Sequence, residues 1–330
     1  MDHLYFNKMK KRLLFIAPDY YGFNEVIFSG IKKYTDFDSV MAISATNERY
    51  QYKNFYERAE NFFSKTFLRK NLKNQKKREH LIRQMNQLDY YDYILVNRPD
   101  LLDQEMYDIV QKKGKKKIVV FWDSFSKIGG QKETIPYYDL AFSFDTDDCK
   151  NYNLKKISNF YFNEDLYSKN PIHDIVFLGT FDKRFDDLTK IINNMNQKDI
   201  DIKCFIYHPS DFSIDQQIEK NIVKLPNILP FNESYRVNEK GNVLLDLAHE
   251  NQSGLSFRPF DALGSEKKLI TTNKAIKNYD FYNSNNIFVI EDINNIEIPS
   301  NFFTTPYEKV DEQILEKYSF KNWINTILDL

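Results

Sequence analysis

The chain has 330 residues, of which 42% are hydrophobic and 28% charged, and its formal net charge is −1. The length favours two domains over one, and the apolar fraction is too high for a disordered chain. The near-neutral charge argues against a general attraction to nucleic acid, and two distant cysteines, Cys149 and Cys204, argue against a disulfide framework.

Short apolar runs alternate with helical stretches along the whole chain. Most runs are continuous rather than alternating, which is typical of strands buried on both faces of a parallel sheet. The predicted strands are 12–17, 40–44, 93–97, 117–122, 140–144, 174–179, 202–208, 243–247, 268–272 and 287–290. The predicted helices are 24–34, about 52–88, 101–113, 185–196 and about 310–328. This alternation, repeated twice, predicts an α/β fold with two doubly wound domains.

The amino-terminal region lacks the features of an export signal. Its first apolar run has about five residues before Pro18, which is too short for a signal-peptide core. No run approaches the roughly 18 apolar residues of a membrane-spanning helix. We therefore expect a cytoplasmic protein.

A boundary between the domains is expected near 163–173, where the polar segment NEDLYSKNPIH precedes a new strand. Two similar domains close together imply a cleft between them. In open α/β sheets, ligands bind at the carboxyl ends of the strands. The loops that follow the strands are therefore the places where a site is expected.

Acidic side chains follow three strands of the first half. Asp19, in APDYYGFNE, is either a helix-start acid or a catalytic base. Asp123, in FWDSFSKIGG, lies beside Trp122 and either binds a sugar or caps a turn. Asp145 and Asp147 form a D-x-D pattern that either shares a divalent cation or begins a helix.

Two loops of the second half contain groups suited to a nucleotide. Gly179 and Thr180 lead into a helix whose N–H groups, with Lys183 and Arg184, could hold a phosphate. The alternative is a glycine turn with solvated charges. His208 ends the next strand and could titrate or donate near neutral pH, although a lone histidine is more often structural.

The stretch NQSGLSFRPFDALG, residues 251–264, combines a loop, a helix and an embedded pair of charges. Ser253 and Gly254 predict a helix start whose N–H donors could hold an anion. Arg258 and Asp261 are three residues apart and should share a helix face, and Gly264 is expected just past the helix end. The alternative is a buried ion pair, but such a pair is a weak stabilising device, so a binding role is favoured.

This segment resembles the donor-binding region of GT-B glycosyltransferases, most specifically over 251–285. In that superfamily a glycine-containing loop and helix bind a diphosphate, and an acid in the helix binds a ribose. The matching residues are Ser253, Gly254, Asp261, Gly264, Thr271 and Thr272. The phrases VFLGTFDKR and FWDSF also look like bacterial glycosyltransferases of capsule, lipopolysaccharide or exopolysaccharide synthesis. The chain has aspartate where many members have glutamate, and the segment 251–285 contains no Glu-x7-Glu pair.

The resemblance implies a GT-B fold, with two Rossmann-like doubly wound domains facing a central cleft. Residues 1–165 would bind the acceptor, 166–308 would bind the nucleotide sugar, and the final helix in 309–330 would pack back on the first domain. Asp19 or Asp123 would deprotonate the acceptor hydroxyl. The nucleotide-sugar-binding residues would be Gly179, Thr180, Lys183, Arg184, His208, Gln252, Ser253, Gly254, Arg258 and Asp261. The resemblance implies no metal ion and no other cofactor.

The segment 49–83 is strongly basic, with 11 Lys or Arg against 3 Glu, a net of +8, and interleaved aromatic residues. Such a segment can dock on an anionic membrane surface, which would place the protein peripherally at the inner face of the plasma membrane. The alternatives are a long helix with one solvated face, or RNA binding. The near-neutral chain and the lack of an RNA-binding motif argue against nucleic acid.

These features predict a glycosyltransferase that moves a sugar from a nucleotide sugar to a surface-polysaccharide or lipid-linked glycan acceptor. Two alternatives stay open. One is a sugar-nucleotide epimerase of the same architecture, and the other is a non-catalytic nucleotide- or sugar-binding scaffold.

Overall fold

The computed structural model describes residues 11–18, 21–46, 72–162, 171–210, 212–249 and 254–330. The chain divides into two compact units, Met1–Ser143 and Phe144–Leu330. The predicted limits at 165 and 308 stay predictions, since residues 163–170 lie outside the described residues.

The first sheet is parallel, and its first five strands correspond to predicted apolar runs. Its strands are β1 (Arg12–Ala17), β2 (Ser39–Ser44), β3 (Tyr91–Asn97), β4 (Gly114–Phe121), β5 (Leu140–Ser143) and the two-residue β6 (Lys155–Lys156). The first three described helices are α1 (Phe23–Tyr34), α2 (Leu72–Asn86) and α3 (Gln104–Lys113). The strand order is β2-β1-β3-β4-β5-β6, and the central strands β1 and β3 are almost fully buried, as their continuous apolar sequences predict.

The second sheet is also parallel and belongs to the second unit. Its strands are β7 (His173–Thr180), β8 (Ile202–Tyr207), β9 (Ile222–Leu225), β10 (Gly241–Asp246), β11 (Lys268–Thr271) and β12 (Ile287–Val289). The helices of this unit are α4 (Thr146–Tyr152), α5 (Phe185–Gln197), α6 (Tyr235–Asn238), α7 (Phe257–Gly264), α8 (Asn301–Thr304), α9 (Glu312–Lys317) and α10 (Phe320–Leu328). The strand order is β12-β11-β10-β7-β8-β9.

Two six-stranded parallel sheets with flanking helices confirm the predicted α/β architecture of two Rossmann-like units. All ten predicted strands are present, and β6 and β9 are the two that the sequence pattern did not predict. Of the predicted helix at about 52–88, α2 is described, and residues 47–71 lie outside the described residues.

The single helix predicted over 310–328 is wrong, because the chain forms two helices there. Ser319 separates α9 from α10, and its side-chain oxygen accepts a hydrogen bond from Asn322 N at 3.1 Å, which begins the second helix. Phe320 of α10 stacks on Phe160 with ring centroids 4.4 Å apart, and Trp323 lies 4.8 Å from the same ring. These contacts lie within the second unit, and the predicted packing of the final helix on the first domain stays a prediction.

Candidate functional site

The second sheet changes direction between β7 and β10. The chain passes from β7 outward to β8 and β9, and then returns to place β10 on the other side of β7. In doubly wound sheets, such a switch point leaves a crevice at the carboxyl ends of the two strands, where ligands bind. The residues after Thr180 and after Asp246 therefore lie at the expected position of a site.

A buried carboxylate organises the β10 side of this switch point. Asp246 is 3% exposed and accepts hydrogen bonds from Thr271 Oγ1 and Ser256 Oγ, both at 2.8 Å. Ser256 also caps α7, because its oxygen accepts from Arg258 N at 3.3 Å. One aspartate thus fixes both the end of β11 and the first turn of α7.

The helix start predicted at Ser253 and Gly254 is wrong by about one turn, since α7 begins at Phe257. Ser256 caps the helix instead, and its hydroxyl is held in place because it also donates to Asp246. Gly254 has a packing role, since a Cβ there would lie 2.9 Å from Phe144 O. Its carbonyl accepts from Asn273 Nδ2 at 3.1 Å, which holds the loop against the end of β11.

Gly264 is the last residue of α7 and not the residue after it, which corrects the predicted helix end. The left-handed conformation falls on Glu266, with φ of 50°. Gly264 is required by close packing, because a Cβ there would lie 2.6 Å from Tyr161 Cδ2.

Arg184 bridges the loops after β7 and β10. Its Nη1 donates to Leu247 O at 2.8 Å, and its Nη2 donates to Asp182 Oδ2 at 2.7 Å. Burial opposes ionisation of Asp182, but the hydrogen bonds from Arg184 outweigh it and lower the pKa of this carboxyl. The pair therefore holds a guanidinium in place at the switch point.

Arg258 presents a second guanidinium from the first turn of α7. Its Nη2 donates to Leu178 O of β7, and the group lies 5.3 Å from the centre of the Phe177 ring. Its Nη1 is buried and has no hydrogen-bond partner among the described residues. Burial lowers the pKa of Arg258, the carboxylates of Asp246 and Asp261 oppose this shift, and the charge of Arg184 adds to it.

Asp261 is half-buried on α7 and faces α6, where Asn238 Nδ2 donates to its Oδ2 at 3.2 Å. Burial raises the pKa of Asp261 to about 7, against the opposing effect of Arg258. Within the described residues, Arg258 and Asp261 bond to different partners and form no mutual ion pair. The mutual ion pair of the alternative is therefore wrong, but an ordinary buried βαβ connection stays open and the binding roles of both residues stay predictions.

The other predicted groups of the second unit lie at strand ends. Gly179 leaves room for the Phe177 ring, because a Cβ would lie 2.7 Å from its Cζ, and Thr180 Oγ1 lies 3.4 Å from Asp182 Oδ2. Lys183 is exposed. His208 Nδ1 lies 2.7 Å from the carbonyl oxygen of Ser210 in the same loop. Binding roles for these residues stay predictions.

The acids of the D-x-D pattern begin a helix. Asp145 Oδ1 accepts from the backbone N–H groups of Asp147 and Asp148, both at 3.0 Å, at the start of α4. This is the geometry of a helix cap and supports that alternative. In the described ranges, no group of three or more His, Cys, Asp or Glu is arranged to hold a metal ion.

The predicted catalytic acids belong to the first half of the chain. Asp123 follows β4 and forms an ion pair with Lys127, whose Nζ lies 2.6 Å from Asp123 Oδ1. Asp19, Gln252 and Ser253 lie outside the described residues. Sequence reasoning missed Asp246, Asp182 and Asn238, although an acid at the end of the apolar run NVLLDL is a signal for a buried carboxylate.

The two parallel sheets, each with its switch point, give the chain the two-unit Rossmann-like architecture of GT-B proteins. A glycosyltransferase from Rickettsia africae ESF-5 shares it, with a TM-score of 0.52, 11% sequence identity and 97% of each chain covered. A UDP-N-acetylglucosamine 2-epimerase matches with a TM-score of 0.51 at 12% identity, over 97% of this chain and 94% of that chain. Neither a family model nor a curated protein matches the sequence. The likeness to these structures is one of fold.

None of the described helices combines the length and the apolar character of a membrane-spanning helix.

Proposed function

We propose that the protein is a glycosyltransferase that binds a nucleotide sugar at the β7–β10 switch point. The observation on which this rests is the pair of guanidinium groups from Arg184 and Arg258. Both donate to main-chain carbonyl groups of this region, at Leu247 and Leu178. The two guanidinium groups are close enough for the charge of Arg184 to lower the pKa of Arg258.

Two guanidinium groups in a partly buried place can bind an anionic ligand, beside the carboxylates of Asp182, Asp246 and Asp261 that interact with them. Guanidinium groups bind phosphate oxygens through two parallel N–H donors, and Arg258 Nη1 has a donor without a partner among the described residues. A pyrophosphate would satisfy this donor and reduce the repulsion between the arginines. The chemistry of the site thus supports a nucleoside diphosphate sugar.

Asp261 would then bind the ribose hydroxyls, as the GT-B resemblance implies. It lies one turn along α7 from Arg258, on the same helix. Its carboxylate would accept a hydroxyl hydrogen bond in place of, or beside, the bond from Asn238. We include Asp123 as the proposed base that deprotonates an acceptor hydroxyl, at the carboxyl end of β4.

The acceptor in this proposal is a surface polysaccharide or a lipid-linked glycan. The basic segment 49–83 would bring the protein to the anionic inner face of the plasma membrane. Most of this segment lies outside the described residues, so the proposal rests on its sequence.

A sugar-nucleotide epimerase is the second candidate, because the fold is also that of the UDP-N-acetylglucosamine 2-epimerase noted above. Such an enzyme would change the sugar while the nucleotide stays attached, and it would need no acceptor.

The test begins with calorimetric titration of UDP, GDP, CDP and dTDP into the full chain. We expect one nucleotide to bind, and Arg258→Gln to weaken it by about tenfold or more, which is ~1.4 kcal/mol. Arg236→Gln is the matched control, since Arg236 is exposed and pairs with Glu233 on the surface. If no nucleotide binds, or if Arg258→Gln and Arg236→Gln bind the nucleotide equally well, the proposed assignment of the site is wrong.

Product analysis with the matching nucleotide sugars then separates the functions. A transferase releases the nucleoside diphosphate, faster with a lipid-linked glycan extract. An epimerase converts the sugar and leaves the nucleotide attached. Binding without turnover, with or without the extract, would identify a non-catalytic scaffold.

A further inference from the structure

The second unit has an open cavity far from the switch point. It has a volume of about 460 Å³ and is lined by Asp174, Lys198, Ile200, Ile298, Ser300 and Phe303. We call it the amino-edge cavity, because Asp174 lies at the amino end of β7. The six residue steps from Asp174 to Thr180 span about 20 Å, at about 3.3 Å per residue, so this cavity is separate from the proposed nucleotide site.

Two opposite charges line the amino-edge cavity. The Asp174 carboxylate accepts from Asp201 N at 3.0 Å through Oδ2, and the Lys198 ammonium donates to Ile296 O at 3.5 Å. Within the described residues, no ion pair of 4.0 Å or less joins Asp174 to Lys198. Each charge therefore keeps hydrogen-bonding capacity for a further partner.

The neighbouring acid does not compete for a ligand cation. Asp201 Oδ2 lies within hydrogen-bond distance of His173 Nδ1, at 2.7 Å. Asp174 is thus the carboxylate that lines the cavity, and Lys198 is the ammonium that lines it.

The rest of the lining is apolar and firmly held. Ile298 is 5% exposed and belongs to the core, and Ile200 and Phe303 pack against that core. The turn that contains Lys198 is fixed by two backbone hydrogen bonds to Met195 O, from Lys198 N and Ile200 N, both at 3.0 Å. The cavity wall is therefore formed before any ligand arrives.

This combination of charges restricts the chemistry of the ligand. An anion would pair with Lys198 but be repelled by Asp174, and a cation would pair with Asp174 but be repelled by Lys198. A purely apolar molecule would remove both charges from water without replacing their hydrogen bonds, which is costly. A zwitterion with an apolar side chain satisfies all three parts of the lining, and the volume is within the ~300–1,000 Å³ of small-ligand pockets.

We propose that the amino-edge cavity binds a free α-amino acid with a large apolar side chain, of the leucine or phenylalanine type. The α-ammonium group contacts Asp174 and the α-carboxylate contacts Lys198. The side chain packs on Ile298 and Phe303. This site is independent of the proposed sugar-nucleotide function.

Calorimetric titration of the full chain with chemically matched probes tests the proposal. We expect L-phenylalanine or L-leucine to bind in a saturable way below about 10 mM. Phenethylamine lacks the carboxylate, 3-phenylpropionate lacks the ammonium, and glycine lacks the side chain. Each should bind at least about tenfold more weakly, a loss of ~1.4 kcal/mol.

Variants then locate the site. Asp174→Asn and Lys198→Gln should each weaken L-phenylalanine binding by about tenfold or more. Lys190→Gln removes a surface charge whose nearest acid is Asp187, at 3.8 Å, and should leave binding unchanged. Circular dichroism checks that each variant is folded, and the probe series on the unaltered chain needs no variant.

Three results would overturn the proposal. The first is that neither amino acid binds in a saturable way. The second is that 3-phenylpropionate or phenethylamine binds as strongly as phenylalanine. The third is that folded Asp174→Asn and Lys198→Gln bind phenylalanine as strongly as the unaltered chain. Competition by UDP would also contradict it, because the two sites should be occupied together.

Discussion

Thr271 donates its hydroxyl hydrogen bond to Asp246 at 2.8 Å, and the two residues are direct partners across β10 and β11. Thr271 is fully buried, and Asp246 is 3% exposed. A polar contact of this kind, enclosed between two parallel strands, links the register of the sheet to the loop that leads into α7.

Thr271→Val should therefore destabilise the protein while preserving the shape of the side chain. The carboxylate of Asp246 would lose one of its buried hydrogen bonds, so we expect the free energy of unfolding to fall by about 1–3 kcal/mol. Urea unfolding measures this change. Thr189→Val is the control, since the Thr189 hydroxyl donates to Phe185 O within its own helix, and it should change stability by less than about 0.5 kcal/mol. Equal effects of the two substitutions would contradict this role of Thr271.

Gly264→Ala tests the close approach between α7 and Tyr161. Alanine favours a helix by about 1 kcal/mol over glycine, but its Cβ would lie 2.6 Å from Tyr161 Cδ2. We expect the cost of overpacking to exceed the helix preference of alanine, so the free energy of unfolding should fall by about 1–3 kcal/mol, as measured by urea unfolding. Gly129→Ala introduces the same methyl group where nothing lies within 4 Å, and it should be nearly neutral. A more stable Gly264→Ala variant would show that Tyr161 can move aside.

The raised pKa of Asp261 predicts a dependence of stability on pH. Its value is about 7 in the folded protein, because of burial, against about 3.9 in an unfolded chain. Between these values the folded state holds a proton that the unfolded state has lost, so stability falls as pH rises.

Asp261→Asn should remove this dependence. The quantity to follow is the free energy of unfolding of the unaltered chain minus that of the variant. We expect this difference to decrease by up to about 1.4 kcal/mol per pH unit from about pH 4 to 7, and then to level off. Asp187→Asn removes a surface carboxylate from α5 and measures the general effect of one charge. A difference that stays constant from pH 5 to 8 would show that Asp261 does not titrate in this range.

Gln131 is fully buried, and neither its amide nitrogen nor its amide oxygen has a hydrogen-bond partner among the described residues. Burying an amide without a partner is unfavourable, so Gln131→Leu should stabilise the protein by about 1–3 kcal/mol in thermal or urea unfolding. Gln111→Leu is the comparison, because its Nε2 donates to Tyr137 O at 2.7 Å, and the substitution would remove that bond. Destabilisation by Gln131→Leu would indicate that the amide is bonded to an enclosed water molecule.

The sequence was most informative where burial is continuous. Runs such as LLFIA and IVFLG are apolar along their whole length, so their place at the centre of a parallel sheet follows from composition alone. β9 was missed because IVKL is short and only partly buried, and so gives no strong pattern. The break at Ser319 depends on a single hydroxyl cap inside a helical pattern.

The site was harder to predict, because its geometry depends on contacts between distant segments. Ser253 and Ser256 are both residue types that cap helices, and the structure has Ser256 as the cap, with its hydroxyl also bonded to Asp246. Arg258 and Asp261 have the spacing of an ion pair on a helix, yet Leu178 O and Asn238 take their hydrogen bonds. The spacing in the sequence identified both charged residues, but their hydrogen-bond partners lie on β7 and α6.

The aromatic contacts around Phe160 have a consequence for biosynthesis. Phe320 and Trp323 complete the packing around a ring that precedes them by some 160 positions, and all three side chains are nearly inaccessible to water. During translation that ring lacks these two neighbours until residues 320–323 have emerged from the ribosome. The packing around Phe160 is therefore completed only after Trp323 is synthesised, and a nascent chain stalled before residue 320 would expose an aromatic surface to chaperones.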